Sequence, residues 1–374
     1  MKDDWKIKCL VPDLPSAEEV FPYLKRMDAE RWYSNFGPLV CEFETALARM
    51  LREITPPSLN CKPQVATFSS ATTALELALR AAELRPGARI LTPALTFAAT
   101  AASISITGHT PVFCDVDART WCLTPEIART LAARTPIDAV MPVAIYGYPL
   151  DLAAWAQFQK DTGILVIVDA AAALGNQVMH PDVTVCFSLH ATKPFGVGEG
   201  GILVTEDTDL LNRSRQLSNF AFCDGTSRAI GTNAKLAEVL AAYGLAQIQR
   251  FEEVQKRRRK VLELYTNRFG LDVFHPQTSN YVPGTLLIDT KGRAAEADQA
   301  LTTAGIQTRK WYFPPLHEHA AFAGMDLVAE GNAGEMFPVI ADLKKRLIGL
   351  PFHAFLDETD IDYIASTLQP LLRS

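Results

Sequence analysis

The sequence predicts an α/β fold: a large, mostly parallel mixed sheet sandwiched by helices, followed by a smaller C-terminal α+β domain. Between about residues 60 and 205, short β-rich runs alternate with Ala/Leu-rich helical stretches. The strand runs are continuously apolar rather than alternating, as in a parallel sheet buried on both faces. After residue 205 this alternation stops and a long helical period takes over.

In chain order, Val65–Phe68 is the first predicted strand, and Thr72–Leu84 the helix after it, with Leu75, Leu77, Leu79 and Ala82 among good helix formers. Arg89–Thr92 is a strand and Phe97–Ile106 a helix; Pro111–Cys114 and Pro125–Arg134 repeat the pair. Ala139–Val143 is strand-like and Leu152–Thr162 helical. Ile164–Val168, bounded by Gly163 and Asp169, is too short for a helix, and Val183–Leu189 and Gly201–Val204 complete the series. Ala234–Leu264 keeps a helical period through Leu236, Val239, Leu240, Tyr243, Leu245 and Ile248. It runs into Lys256-Arg257-Arg258-Arg259-Lys260, which reads as a solvated helix face paired with Glu252 and Glu253. A strand near Gly284–Ile288 and a final helix from Glu358, capped by Asp357, belong to the smaller domain. The expected division is residues 1–250 and 251–374.

Composition excludes several classes. Lys and Arg number 36 against 42 Asp and Glu, a net charge of −6, so no general basic field for nucleic acid exists. Mean hydropathy is +0.06, but every apolar run breaks well short of the ~20 residues a membrane span needs. The start, MKDDWKIKCL, has no apolar core of a signal peptide. Seven cysteines without a CxxC read as reduced thiols, and a cytoplasmic location is expected.

Some motifs fail on context. Gly196-Val-Gly198-Glu-Gly-Gly201 matches GxGxxG but leads into a strand instead of opening a helix, so it is no dinucleotide fingerprint. There is no GxxxxGK[ST] and no GxSxG, and His317-Glu-His319 lacks zinc spacing; no metal site is expected.

Four features converge. Asp169 ends an apolar strand, where a carboxylate either caps a following helix or meets a cation. Lys193, in Ser188-Leu-His190-Ala-Thr-Lys193-Pro194, lies in a turn of small residues; the reading as solvated surface stands beside that of a desolvated amine able to attack carbonyls or carry protons. Ser69-Ser70-Ala71-Thr72-Thr73, between strand and helix, has more hydroxyls than capping needs and suits a phosphate. Phe97 follows the next strand and either packs or stacks on a planar ring. A phosphate cradle, an aromatic face, a carboxylate for a pyridinium nitrogen and a lysine for a Schiff base are together what pyridoxal 5′-phosphate (PLP) requires.

The chain resembles the DegT/DnrJ/StrS family of sugar aminotransferases, PLP enzymes of fold type I. The resemblance runs from Tyr33-Ser-Asn35-Phe-Gly37-Pro38 through Ser69–Leu75, Thr96-Phe97-Ala-Ala-Thr100, Tyr146-Gly147-Tyr-Pro149 and Val168–Ala173. It continues in Phe187-Ser188-Leu-His190-Ala-Thr-Lys193 with Gly198-Glu-Gly-Gly201, in Gly231-Thr-Asn233-Ala-Lys235, and in Leu316-His317 and Gly349-Leu-Pro351. It implies that Lys193 holds the cofactor as a Schiff base and moves the proton, and that Asp169 keeps the pyridinium protonated. Ser70, Ala71, Thr72 and Ser188 would bind phosphate and Phe97 would stack on the ring. Asn233 or Lys235 would reach into the neighbouring subunit of a homodimer. Ala71 stands where the family usually has Gly, and Ala172 where it has a Gln or His touching the cofactor's phenolic oxygen; Ala172 cannot make that bond. Relatives with histidine in place of the lysine are dehydratases, so Lys193 favours transamination. The implied reaction aminates a keto group of a nucleotide-linked deoxysugar, with glutamate as donor, in the synthesis of O-antigen, another surface glycan or a natural product. Tyr33, His190, Tyr312 and His317 are candidate substrate contacts that read equally well as packing. Neither nucleic acid nor membrane is an expected partner.

Overall fold

A computed structural model describes residues 5–329 and 336–373 of the chain. Its strands are β1 (Gln64–Phe68), β2 (Arg89–Pro93), β3 (Thr110–Cys114), β4 (Ala139–Val140), β5 (Leu165–Asp169), β6 (Thr184–Ser188) and β7 (Gly201–Thr205). A short hairpin, β8 (Phe222–Cys223) and β9 (Thr226–Ser227), precedes β10 (Leu286–Asp289), β11 (Asp326–Leu327) and β12 (Leu347–Leu350). Eight strands form one sheet in the order β1-β7-β6-β5-β4-β2-β3-β11. Only β7 runs against its neighbours there. The carboxyl ends of β1, β2, β5 and β6 therefore share one edge with the start of β7.

The continuous apolar runs have a simple cause. Val166 and Val168 face one core, with the helices Pro38–Ile54, Leu152–Thr162 and the first half of Glu238–Phe269, while Ile167 between them faces a second core under the helix Ala71–Ala81. Period-two alternation persists, but both faces are dry.

β4 ends sooner than the expected 139–143 run, because Pro142 has no N–H to continue the ladder; Val143 keeps a single bridge to Asp169. The long helix begins at Glu238, not at Ala234, since Ala234 N–H bonds back to Ser218 O and the preceding residues lie along the sheet edge. The helices Ala17–Glu30 and Pro38–Ile54 were not expected. Their signals were there to read: Ser16 and Glu19 form a capping box, and Leu39, Phe43, Leu47 and Leu51 repeat every four residues on the buried face. The two residues of β11 carry no sequence period.

The helix Glu238–Phe269 has 32 residues, about 48 Å at 1.5 Å per residue. Its first half, through Ala241, Leu245 and Val254, packs in the sheet core; Val261, Leu262 and Tyr265 join a separate core around the β10–β12 pair. Residue 250 thus lies inside a continuous helix, and Ile7 from the N-terminal segment also enters the second core. The basic run divides: Lys256, Arg259 and Lys260 stay exposed, as a solvated helix face should, while Arg257 and Arg258 turn into the fold. Lys256 pairs with Glu252 at 2.7 Å and Arg257 with Asp13 at 2.9 Å. Arg258 is buried, donates to Pro283 O (2.8 Å) and Gly284 O (3.0 Å), and lies 4.6 Å from the Phe352 ring centre. Burial lowers its pKa to about 10, so it stays charged at neutral pH. Gly284 N–H in turn donates to Tyr146 O at 2.7 Å. A Cβ on Gly147 (φ +95°) would meet Gly284 N at 2.5 Å and Ala172 O at 2.6 Å, so this contact between the two cores requires glycine. Among the described residues, no helix is long and apolar enough to cross a membrane.

Candidate active site

The shared sheet edge opens into a cleft at the carboxyl ends of the strands, the place where open α/β sheets bind ligands. Asp169, Lys193, Ala172, Phe97, Ala71 and Tyr312 all line it.

Asp169 emerges from β5 into this cleft and is only 5% exposed. Its Oδ2 accepts from Thr100 Oγ1 at 2.7 Å and its Oδ1 from Ala171 N–H at 3.0 Å. Because Thr100 gives its proton to the carboxylate, the 2.8 Å contact with Thr96 Oγ1 is donated by Thr96. Burial pushes the carboxyl pKa up, against the pull of Thr100, Ala171 and Lys193. Residues 170–173 form a turn closed by Ala173 N–H to Ala170 O, so Asp169 caps no helix.

Lys193 leaves a tight turn whose N–H bonds to His190 O. Burial pulls its pKa down and Asp169 raises it in part. An amine with depressed pKa keeps a larger neutral, nucleophilic fraction at neutral pH.

The helix Ala71–Ala81 begins at the end of β1. Ser70 accepts from Thr73 N–H at 3.1 Å, and Thr73 Oγ1 accepts from Ser70 N–H at 3.0 Å, a reciprocal cap. The Ser70 hydroxyl accepts in the cap and still carries its own proton, and the first N–H groups of the helix, at Ala71 and Thr72, have no intrahelical acceptor and mark an anion site. Ser188, at the end of β6, accepts from His190 N–H and keeps its own proton to donate. It pairs in register with Gly201, which also pairs with Phe68. A Cβ on Gly201 would fall 2.1 Å from Ser70 O and 2.4 Å from Ala71 N. Only glycine lets the helix start come this close to the Ser188 strand.

Phe97 is 62% exposed, with its ring centre 5.9 Å from that of Tyr312. Tyr312 stacks on Tyr146 at 5.7 Å and 15°, and Tyr146 OH donates to Trp311 O at 2.7 Å. The remaining expected contacts do not line the cleft of their own chain. Tyr33 is exposed, with its hydroxyl 3.3 Å from Asp28. His190 contacts Thr192 at 2.9 Å and lies 3.4 Å from Glu199. His317 packs edge-on to Phe337, and burial lowers its pKa. Asn233 bridges to Asn219, and Lys235 bridges to Phe68 and donates through Nζ to Asn219 at 2.7 Å. Thr100 and Tyr146 are the structural surprises. A Thr pair four residues apart in an Ala/Ile helix start was the legible sign of the first.

An aromatic face, a buried carboxylate, a lysine and an anion-binding helix start with an adjoining hydroxyl fit PLP. Comparison with known proteins agrees. The DegT/DnrJ/EryC1/StrS aminotransferase family profile matches residues 16–369, and the chain belongs to that family. It is a PLP-dependent aminotransferase of fold type I. GDP-perosamine synthase of Caulobacter vibrioides is 31% identical over 392 residues, covering 100% of both chains. The dTDP-4-amino-4,6-dideoxy-D-glucose transaminase of Shigella dysenteriae is 29% identical, covering 96% of this chain and 97% of the relative. The crystal structure of DesI with its TDP-sugar product superposes with a TM-score of 0.83 at 28% identity, over 100% of this chain and 94% of that one.

Proposed function

We propose that the protein aminates a keto group of a nucleotide-linked deoxysugar, taking the amino group from glutamate. The observation that carries this reading is the meeting of Lys193 and Asp169 in one cleft of a chain whose full-length relatives act on dTDP- and GDP-linked sugars. When bound, PLP supplies an electron sink and carries the amino group between donor and acceptor. Lys193 would hold the cofactor through Nζ and supply the amine that takes up and returns the migrating proton. Asp169, held by Thr100, is the carboxylate that would pair with the pyridinium nitrogen and keep it protonated. The N–H groups of Ala71 and Thr72 and the Ser188 hydroxyl would hold the phosphate, and Phe97 would supply the aromatic face for the ring. Ala172, which also lines the cleft, contributes no polar side-chain group.

The acting unit in this reading is a homodimer in the cytoplasm, built from a cofactor domain of residues 1–250 and a smaller domain of residues 251–374. Phe220, Phe222 and Ile230, exposed beside Asn233 and Lys235, are the apolar patch a second copy would cover. Asn233 or Lys235 then completes the partner's site, and Tyr33, His190, Tyr312 and His317 are candidates for the sugar nucleotide. The product feeds O-antigen, another surface glycan or a natural product.

The first test is the visible absorption of the PLP-loaded protein before and after glutamate. A cofactor band that bleaches with glutamate alone and returns on adding a keto-sugar nucleotide is expected. A band indifferent to glutamate would sink the donor assignment.

A further inference from the structure

PLP carries a phenolic oxygen beside its reactive carbon, and that oxygen becomes an anion in a cleft whose lining is mostly apolar. A buried anion without a hydrogen-bond donor is costly. The polar side chains lining the cleft are few, and most are committed. Thr96 gives its hydroxyl proton to Thr100, and Tyr146 gives its own to Trp311 O. Asp169 only accepts, and Lys193 is the reacting amine. Ala71, Ala171 and Ala172 offer no side-chain donor. Tyr312 remains: its hydroxyl makes no hydrogen bond to a described residue, and its ring is fixed between Tyr146 at 5.7 Å and Phe97 at 5.9 Å.

From this we infer that Tyr312 is a further catalytic residue, donating its phenolic hydrogen to the anionic phenolic oxygen of PLP and supplying the bond that Ala172 cannot. Burial, with Asp169 nearby, pushes the Tyr312 phenol well up, so it remains a donor across neutral pH. The role links the two cores. Tyr312 comes from the C-terminal part of the chain, and its partner Tyr146 is held through Gly284 by Arg258 of the long helix. The inference rests on the cofactor reading of the cleft.

Tyr312→Phe keeps the ring stack and deletes only the hydroxyl. A hydrogen bond to the charged form favours that form, so its loss raises the pH at which the phenolic oxygen gives up its proton. Titrating the visible absorption of the PLP-loaded variant against pH should show the midpoint raised by about 1–2 pH units, the size of one hydrogen bond to a charged group. The dissociation constant for PLP, measured by quenching of protein fluorescence, should rise about 10-fold or more, while the melting temperature of the PLP-free protein stays unchanged. An unaltered midpoint and an unaltered PLP affinity would overturn the role. So would a change confined to KM for the sugar acceptor, which would place Tyr312 on the substrate instead. Wild-type protein that takes up no PLP would remove the cofactor reading itself, an outcome visible before any variant is made.

Discussion

Asp169 and Lys235 stand at the same edge of one sheet, at the ends of β5 and β1, and their surroundings differ. Asp169 is 5% exposed, with each carboxylate oxygen satisfied from its own chain by Thr100 or Ala171. Lys235 leans on the exposed rings and carbonyls of a peripheral segment, reaching Asn219 and lying 5.5 Å from Phe220. Phe222 and Ile230 of that segment are 55% and 88% exposed. The inner region is complete within one chain, whereas the outer one presents apolar surface with nothing of its own chain over it. The lesson is a division of labour. The groups around Asp169 are buried and mutually constrained, whereas the rim around Lys235 is exposed and leaves its apolar side chains uncovered.

The comparison breaks first at Asp169. Asp169→Asn should lower the steady-state rate by about 10³-fold, the scale of losing one preorganised electrostatic group. The fold should survive, and the pH dependence gives the sign. The folded carboxyl has its pKa raised above the unfolded value, so the stability it contributes is present at low pH and is lost as pH rises through the window above about 4. PLP-free Asp169→Asn should therefore lose less stability than wild type on going from pH 4 to pH 8 in urea titrations. A steeper loss in the variant would contradict this account of the carboxyl.

A smaller effect is expected at Gly201. Gly201→Ala forces a Cβ against Ser70 O and Ala71 N, which should destabilise the protein by about 1–3 kcal/mol. PLP affinity should fall with it, because the helix start moves away from Ser188. Chemical denaturation with and without PLP measures both, and full retention of affinity would separate the phosphate site from this contact.

The rim is tested last. Lys235→Ala should lower activity by only about 10-fold, with the PLP-free melting temperature unchanged. Lys193→Ala subunits mixed with Lys235→Ala subunits should regain activity, since a mixed dimer assembles one cleft with both lysines intact. Mixtures no more active than the separate variants would confine Lys235 to its own chain.

Much of the inner region was legible because it is local. Asp169 ends a strand, Lys193 follows one, and Ser70–Thr72 opens a helix; each is fixed by a short run of chain. The helix Pro38–Ile54 was legible too, by its four-residue period of Leu39, Phe43, Leu47 and Leu51. Thr100 was harder. Its bond to Asp169 spans 69 residues, and nothing at Thr100 itself distinguishes a carboxylate partner from a helix-start hydroxyl.

By itself, then, the sequence determined the α/β layering, the strand-end carboxylate and the lysine turn, because periodicity, chain reversal and capping act over a few residues. Only the tertiary structure decided which groups share the cleft. It brought Tyr312 and Ala172 to line one cleft, set Gly201 against the helix start, and turned Arg257 and Arg258 inward to pair with Asp13 and the Pro283–Gly284 carbonyls. Those contacts join residues tens to hundreds of positions apart. They form because burying both faces of one sheet fixes where each strand end must lie, and no local pattern encodes that distance.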